Sequence, residues 1–200
     1  MIQKIGHMNI GKVLIDKILD IHSKLGEDAP SFSEFKGKEI IEKEFHIADL
    51  IVSNMEELDK IVIIGSRFPL NYVTYFNTMG VDDITVIDYH PMLKKHNKLL
   101  NAEIKIKRPL FDDLSKDVYD SDLVIFPNSE YLVPLKMLNY YRECKTVMVV
   151  NHINMQHNFN NYQIKDANIL AEDSCLIKSG TFKVGYSSKC HYAYGANISL

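Results

Sequence analysis

The sequence predicts an α/β protein. Helices should cover both faces of a mostly parallel, seven-stranded sheet, with a helical segment ahead of it and an antiparallel hairpin at its end. Three observations lead there. From Asp59 onward, apolar runs of strand length alternate with helical repeats. The run "KIVIIG" is continuously apolar, as expected of a strand covered on both faces. The first 58 residues show helical periodicity and no strand pattern.

The elements follow in order. "IGKVLIDKILDIHSKL" places Val13, Leu14, Ile18, Leu19 and Ile21 on a wide apolar helical face. "GEDAPSFSEF" breaks that helix with Gly, Pro and Ser. "GKEIIEKEFHIADLIVSNMEELDK" resumes it, with Ile40, Ile41, Phe45, Ile47, Ala48, Ile51 and Val52 on the repeat. After the strand "KIVIIG" comes the helix "FPLNYVTYFNTMG", with Pro69 at its start and Gly80 past its end. "DITVIDY" is the second strand, "PMLKKHNKLLN" a helix begun by Pro91, and "AEIKIKR" a third, shorter strand. The loop "PLFDDLSKDVY" leads to the strand "DSDLVIFPN". The helix "VPLKMLNYYREC" and the strand "KTVMVVNHI" follow. Strands separated by helices pair in parallel, because each crossover needs a helix to return the chain. The last third differs. "INMQHNFNNYQIKD" reads as a polar loop with a short helix. "EDSCLIKSGTFKVGYSS" and "CHYAYGANISL" read as two antiparallel strands.

Composition narrows the function. A net charge of -3 and a pI near 6.2 give no general electrostatic grip on nucleic acid. The basic stretch Lys105 to Pro109 is read as a solvated strand end. Cys144, Cys175 and Cys190 are far apart and show no paired spacing, so neither a disulfide framework nor a zinc site is expected. No signal pattern opens the chain, and no apolar run is long enough to cross a membrane. The expectation is a cytoplasmic protein with a small-molecule partner.

The chemistry concentrates in "DKIVIIGSRFPLNYVTYFNTMGVDDITVIDYHP". In a doubly wound sheet the ligand lies beyond the carboxyl ends of the strands, where strand order reverses. Gly65 lets the backbone turn tightly and approach a ligand, and the helix after it points free N–H groups the same way. Asp88 stands at the end of the second strand, 23 residues after Gly65, where a carboxylate can accept both hydroxyls of a ribose. A pyrophosphate needs more glycines than this loop holds, and no phosphate-binding Lys follows it. That disfavours NAD, FAD and ATP in their usual loops. A ligand without phosphates, such as S-adenosylmethionine (SAM), needs only close backbone approach and a ribose acceptor.

Helices first, then a strand–helix series, then a terminal antiparallel pair: from Asp59 to Leu200 the chain resembles the class I SAM-dependent methyltransferases. The resemblance implies a Rossmann-like SAM-binding domain over 59–200, with 1–58 as a helical segment. It also implies a last strand that runs antiparallel and is inserted between its neighbours. "IVIIGSRFPL" corresponds to the family's glycine loop and implies cofactor contacts from Gly65, Ser66 and Arg67. "VIDYHP" puts Asp88 on the ribose, with Tyr89 beside it. "PLFDDL" implies that Asp112 or Asp113 meets the adenine amino group. "DLVIFPNSEY" lies where the family holds its catalytic and substrate-contacting residues, here Asn128 toward the cofactor and Glu130 and Tyr131 toward catalysis. The loop is also similar to that of nicotianamine synthase, which implies transfer of the aminocarboxypropyl arm of SAM instead of its methyl. The glycine-poor loop leaves a third reading, a Rossmann-like binding or assembly protein without catalysis.

Several residues carry a plainer alternative. Asp88 could cap the next helix, and Arg67 could be a surface residue instead of a partner for the SAM carboxylate. Glu130 is a candidate base, or an acid favoured by a helix start. His152 and His157, with Asn151 and Asn154, form a polar cluster after the fifth strand, and His152 is the second candidate base. The two histidines lack a third metal ligand, so no metal is expected. Pro127-Asn128-Ser129-Glu130 is not the Asn/Asp-Pro-Pro-aromatic order of the DNA amino-methyltransferases, so a nucleobase amine is not favoured as acceptor. Tyr186, His191, Tyr192 and Tyr194 are read as strand residues packing one face.

Overall fold

The computed structural model describes residues 16–17, 20–21, 23–24, 38–55, 57–66, 69–90, 93, 99–129, 138, 145–152, 164–184 and 188–196. Helix α1 (Lys38–Asn54) precedes the sheet. Strand β1 (Lys60–Ile64), helix α2 (Leu70–Thr78) and strand β2 (Asp83–Asp88) follow. Next come β3 (Glu103–Ile106), the single turn α3 (Ser115–Val118), β4 (Leu123–Phe126) and β5 (Thr146–His152). Helix α4 (Ala167–Asp173) leads to the hairpin strands β6 (Lys178–Val184) and β7 (Ser188–Ala196).

The seven strands form one sheet in the order β3-β2-β1-β4-β5-β7-β6. β1 to β5 pair in parallel, with Ile64 opposite Ile87 and Ile63 opposite Ile125. β7 runs antiparallel and is inserted between β5 and β6, as expected. The order reverses between β1 and β4, so the loops after these two strands diverge and leave a crevice.

Alternation along each strand divides the core into two layers. Ile61 and Ile63 of β1 face Ile47, Ala48 and Ile51 of α1 and Val73 and Phe76 of α2. Val62 and Ile64 face the other way, toward Leu114, Val118 and Leu170. β1 is therefore covered on both faces, which is why its sequence is unbroken apolar. The edge strand β3 is only half buried and is guarded by charge. Lys105 pairs with Glu103 at 3.1 Å and with Asp117 at 3.2 Å, and Lys107 reaches Asp117 at 2.5 Å. The basic stretch there is thus neutralised by its own neighbours.

The ends of α2 fall where the sequence puts them, with Pro69 as the N-cap and Gly80 at φ +88 just past the last turn. The region after β5 differs from expectation. Residues 167–173 are helical, begun by Asp166, whose carboxylate accepts the Asn168 N–H at 2.7 Å. The first strand of the hairpin therefore starts at Lys178. Tyr192 lies over Gly180, where a Cβ would meet its ring at 2.6 Å, and Tyr192 also neighbours Phe182 and Tyr194. These tyrosines pack one face, as read from sequence. His191 points to the opposite face from Tyr192. The expected helices over 91–101 and 133–144 lie almost wholly outside the described residues. No described helix is long and apolar enough to cross a membrane.

Asp122 fastens the amino ends of β1 and β4. Its carboxylate accepts the N–H groups of Asp59 at 3.0 Å and Lys60 at 2.9 Å, and its own N–H donates to the Lys60 carbonyl. Asp122→Ala leaves two donors without their charged acceptor and should lower stability by about 1–3 kcal/mol. Urea denaturation should show a lower midpoint with an unchanged slope. An unmoved midpoint would show that water replaces both bonds at no loss.

Candidate functional site

The crevice begins at Gly65. Its φ of +73 is a left-handed conformation that suits glycine, and its N–H is held by the Ile87 carbonyl at 3.0 Å. A Cβ at Gly65 would meet no atom of the described residues within 4 Å, so among these the loop faces open space. Ser66 beside it is buried. Across the reversal, Asn128 stands just after β4. Its amide Nδ2 donates to the Gly65 carbonyl at 3.1 Å, and its Oδ1 accepts from Lys43 Nζ at 2.7 Å. One amide thus bridges the two diverging loops to α1. Asn128, read from sequence as a cofactor contact, holds the cofactor loop in place.

Asp88 ends β2 and is buried, with Oδ1 accepting the His90 N–H at 3.1 Å. Asp88 thus closes a local turn at the carboxyl end of β2. Tyr89 after it is 66% exposed. Asp112 accepts from the Arg108 backbone N–H at 2.6 Å, and that bond holds its carboxyl below the usual range. Asp113 accepts from both the N–H and the hydroxyl of Ser115, with the same effect. Both carboxylates are committed to local turns. Between β3 and these turns stands Phe111, 77% exposed and capped by the Arg108 guanidinium 5.5 Å from its centroid. The sequence reading passed over this aromatic.

Of the candidate bases, Glu130 and Tyr131 lie outside the described residues, as do Arg67, Asn154 and His157. His152 is placed only by its backbone, paired with Cys190 of β7. Its neighbour Asn151 is fully buried. Asn151 donates to Ser129 Oγ at 3.0 Å and accepts the Ile164 N–H at 3.1 Å, which links the loops after β4 and β5. Among the described residues no group of three metal-ligating side chains is present.

No family model and no curated protein sequence matches the chain. Solved structures do. A SAM-dependent methyltransferase from Aquifex aeolicus superposes with a TM-score of 0.53 at 18% identity, covering 90% of this chain and 98% of its own. A SAM-dependent methyltransferase from Leishmania major gives 0.60 at 10% identity, with 93% and 82% coverage. The N-terminal domain of EvdMO1, solved with SAH bound, gives 0.54 at 11% identity, with 78% and 81% coverage. The chain has the class I methyltransferase fold. In open α/β sheets ligands usually bind where the strand order reverses, and here Gly65 and Asn128 follow the two strands that flank that reversal.

α1 adds to this class I frame a pair of residues that the sequence reading missed. Lys43 and Glu44 are both buried, Lys43 on Asn128 and Glu44 on Asn71, whose Nδ2 donates to Glu44 Oε2. Glu44 lies three, four and seven residues before Ile47, Ala48 and Ile51, on the same apolar stripe of the helix. A carboxylate on that stripe was the available signal. One turn on, Tyr75 donates to Asp49 at 2.8 Å, and burial together with that carboxylate pushes the phenol up.

Burial also pushes the Glu44 carboxyl up from 4.5 to about 7, against the pull of Asn71 and Lys43. The folded state therefore binds this proton more tightly than the unfolded chain does. The resulting stability is complete below about pH 4.5 and is lost as pH rises through 7. Glu44→Gln has no proton to lose. Its stability relative to wild type should climb between pH 4.5 and 7 and then level off, gaining on the order of 3 kcal/mol. Denaturation at pH 5 and pH 8 measures it, and an equal difference at both values would contradict the burial of an ionisable Glu44.

Proposed function

We propose that the protein is a SAM-dependent methyltransferase acting on a small-molecule acceptor. The observation that carries this reading is the open space over Gly65 at the strand-order reversal, with the buried Asp88 at the next strand end. The residues fit the cofactor's parts. Gly65 allows close backbone approach, Asp88 offers a charged acceptor to the ribose hydroxyls, and Tyr89 and Phe111 offer exposed aromatic faces to an adenine. The loop's single glycine suits a ligand with no pyrophosphate.

Bound SAM supplies an electrophilic methyl group on a sulfonium. The protein's share is to orient the acceptor in line with it and keep water out. Asn128 serves this by fixing the Gly65 loop to α1. Glu130 and Tyr131 follow β4 and His152 ends β5, and these three are the candidates for removing an acceptor proton. The glycine-poor loop also supports a second reading, transfer of the aminocarboxypropyl arm. The product separates them, since methyl transfer releases S-adenosylhomocysteine and aminocarboxypropyl transfer releases methylthioadenosine.

SAM or S-adenosylhomocysteine should raise the melting temperature, because a ligand bound only by the folded state stabilises it. A shift with NAD or ATP and none with SAM overturns the reading. Asp88→Ala should fold and bind SAM more weakly by on the order of 2 kcal/mol, having lost a charged hydrogen-bond acceptor. Calorimetric titration measures this, and an unchanged dissociation constant would assign Asp88 a structural role, such as its turn with His90.

A further inference from the structure

The seam between α1 and α2 carries two polar contacts, Tyr75 on Asp49 and, more deeply buried, Asn71 on Glu44. Glu44 is 9% exposed, Asn71 1% and Thr74 5%. Asn71 and Thr74 are three residues apart on α2 and so share a face of that helix. Asn71 gives its Nδ2 to Glu44, while Asn71 Oδ1 and Thr74 Oγ1 are enclosed with no hydrogen-bond partner among the described residues. Buried polar atoms are nearly always paired, so these two orphans, one on the residue that holds Glu44 and one a turn further along the same face, call for a partner. Lys43, next to Glu44 on the helix, has its Nζ engaged with Asn128 Oδ1. The place is next to the crevice, since Asn71 lies in the first turn of α2, directly after the Gly65 loop, and Lys43 reaches the loop after β4.

An acidic group flanked by acceptors asks for a ligand that is positive and carries several N–H donors. A hydroxyl offers one donor and no charge, and a carboxylate or phosphate would be repelled. An alkylammonium offers three donors and the compensating charge.

We propose that Glu44, Asn71 and Thr74 form a receptor for an alkylammonium group, presented at the crevice by an amine acceptor or by the amino-acid end of the cofactor. The proposal rests on the reading of the crevice as a SAM site. Glu44 gains its full charge as the cation arrives, Asn71 Oδ1 and Thr74 Oγ1 take the remaining N–H groups, and Lys43 stays engaged with Asn128.

The test uses the whole protein and three probes: S-adenosylhomocysteine, 5′-methylthioadenosine, which lacks the amino-acid end, and n-butylammonium, with n-butanol as its neutral counterpart. Glu44→Gln keeps the bond to Asn71 but not the charge, and its fold is checked by circular dichroism. Thr74→Val removes one acceptor and leaves the Glu44–Asn71 pair intact. If the group belongs to the cofactor, Glu44→Gln weakens S-adenosylhomocysteine about tenfold or more and leaves methylthioadenosine unchanged. If it belongs to the acceptor, both nucleosides bind as before. Butylammonium then shifts the Asn71 side-chain amide resonance in the wild type, less in Thr74→Val, and not in Glu44→Gln, while butanol has no effect. Either pattern supports the receptor. Unchanged behaviour of both variants toward all three probes overturns it and reduces the cluster to packing. If neither nucleoside binds the wild type, the SAM reading fails, and the butylammonium titration still decides for or against the ammonium site.

Discussion

Parallel strands cannot be joined by a tight turn, and this constraint shapes everything at the carboxyl edge. After β1 the chain moves outward through β2 to β3, then must return to the other side of β1 to lay down β4. The loops after β1 and β4 therefore leave in opposite directions, and the space between them cannot be filled by a connection. That gap would be unstable if its backbone were left to itself. Here the side chain of Asn128 crosses it to the Gly65 carbonyl and is itself held by Lys43. The opening is thus braced without being filled.

The bracing has an electrostatic consequence. Lys43 and Glu44 are adjacent on α1, yet their partners lie on different elements, Asn128 after β4 and Asn71 on α2. A direct ion pair would have neutralised both at little gain, since burying such a pair roughly offsets its own attraction. Splitting them gives the helix two polar anchors at its approach to the crevice. It also leaves Glu44 a carboxyl that burial pushes up to about 7 despite the pull of Lys43. The same helix contributes Ile47, Ala48 and Ile51 to the core, so anchoring and packing act through one rigid element.

At the far side the fold works differently. The adenine-side candidates Asp112 and Asp113 are spent on turns, and Lys105, Lys107 and Arg108 are spent on Glu103, Asp117 and Asp112. What this edge presents outward is aromatic, Tyr89 and Phe111. A charged stretch in sequence and a charged surface in space are different things, because local ion pairs form first wherever geometry permits.

Sheet and site were legible to different depths. Periodicity and the placing of Pro and Gly determined that β1 is doubly buried, that α2 lies between Pro69 and Gly80, and that a parallel series ends in an antiparallel pair. These follow from side-chain spacing and from backbone rules local to a few residues. Gly65 and Asp88 could be placed at strand ends for the same reason. The helix at 167–173 was missed because its seven residues hold too few turns to show a repeat, and its cap at Asp166 looked like loop composition. The bridge from Lys43 through Asn128 to Gly65, and the pairing of Glu44 with Asn71, join residues between 27 and 85 positions apart. No local pattern encodes such contacts. They exist only once the strand order has brought α1, α2 and the loop after β4 to one edge, and there the low dielectric of the interior turns an ordinary glutamate into a group that titrates near pH 7.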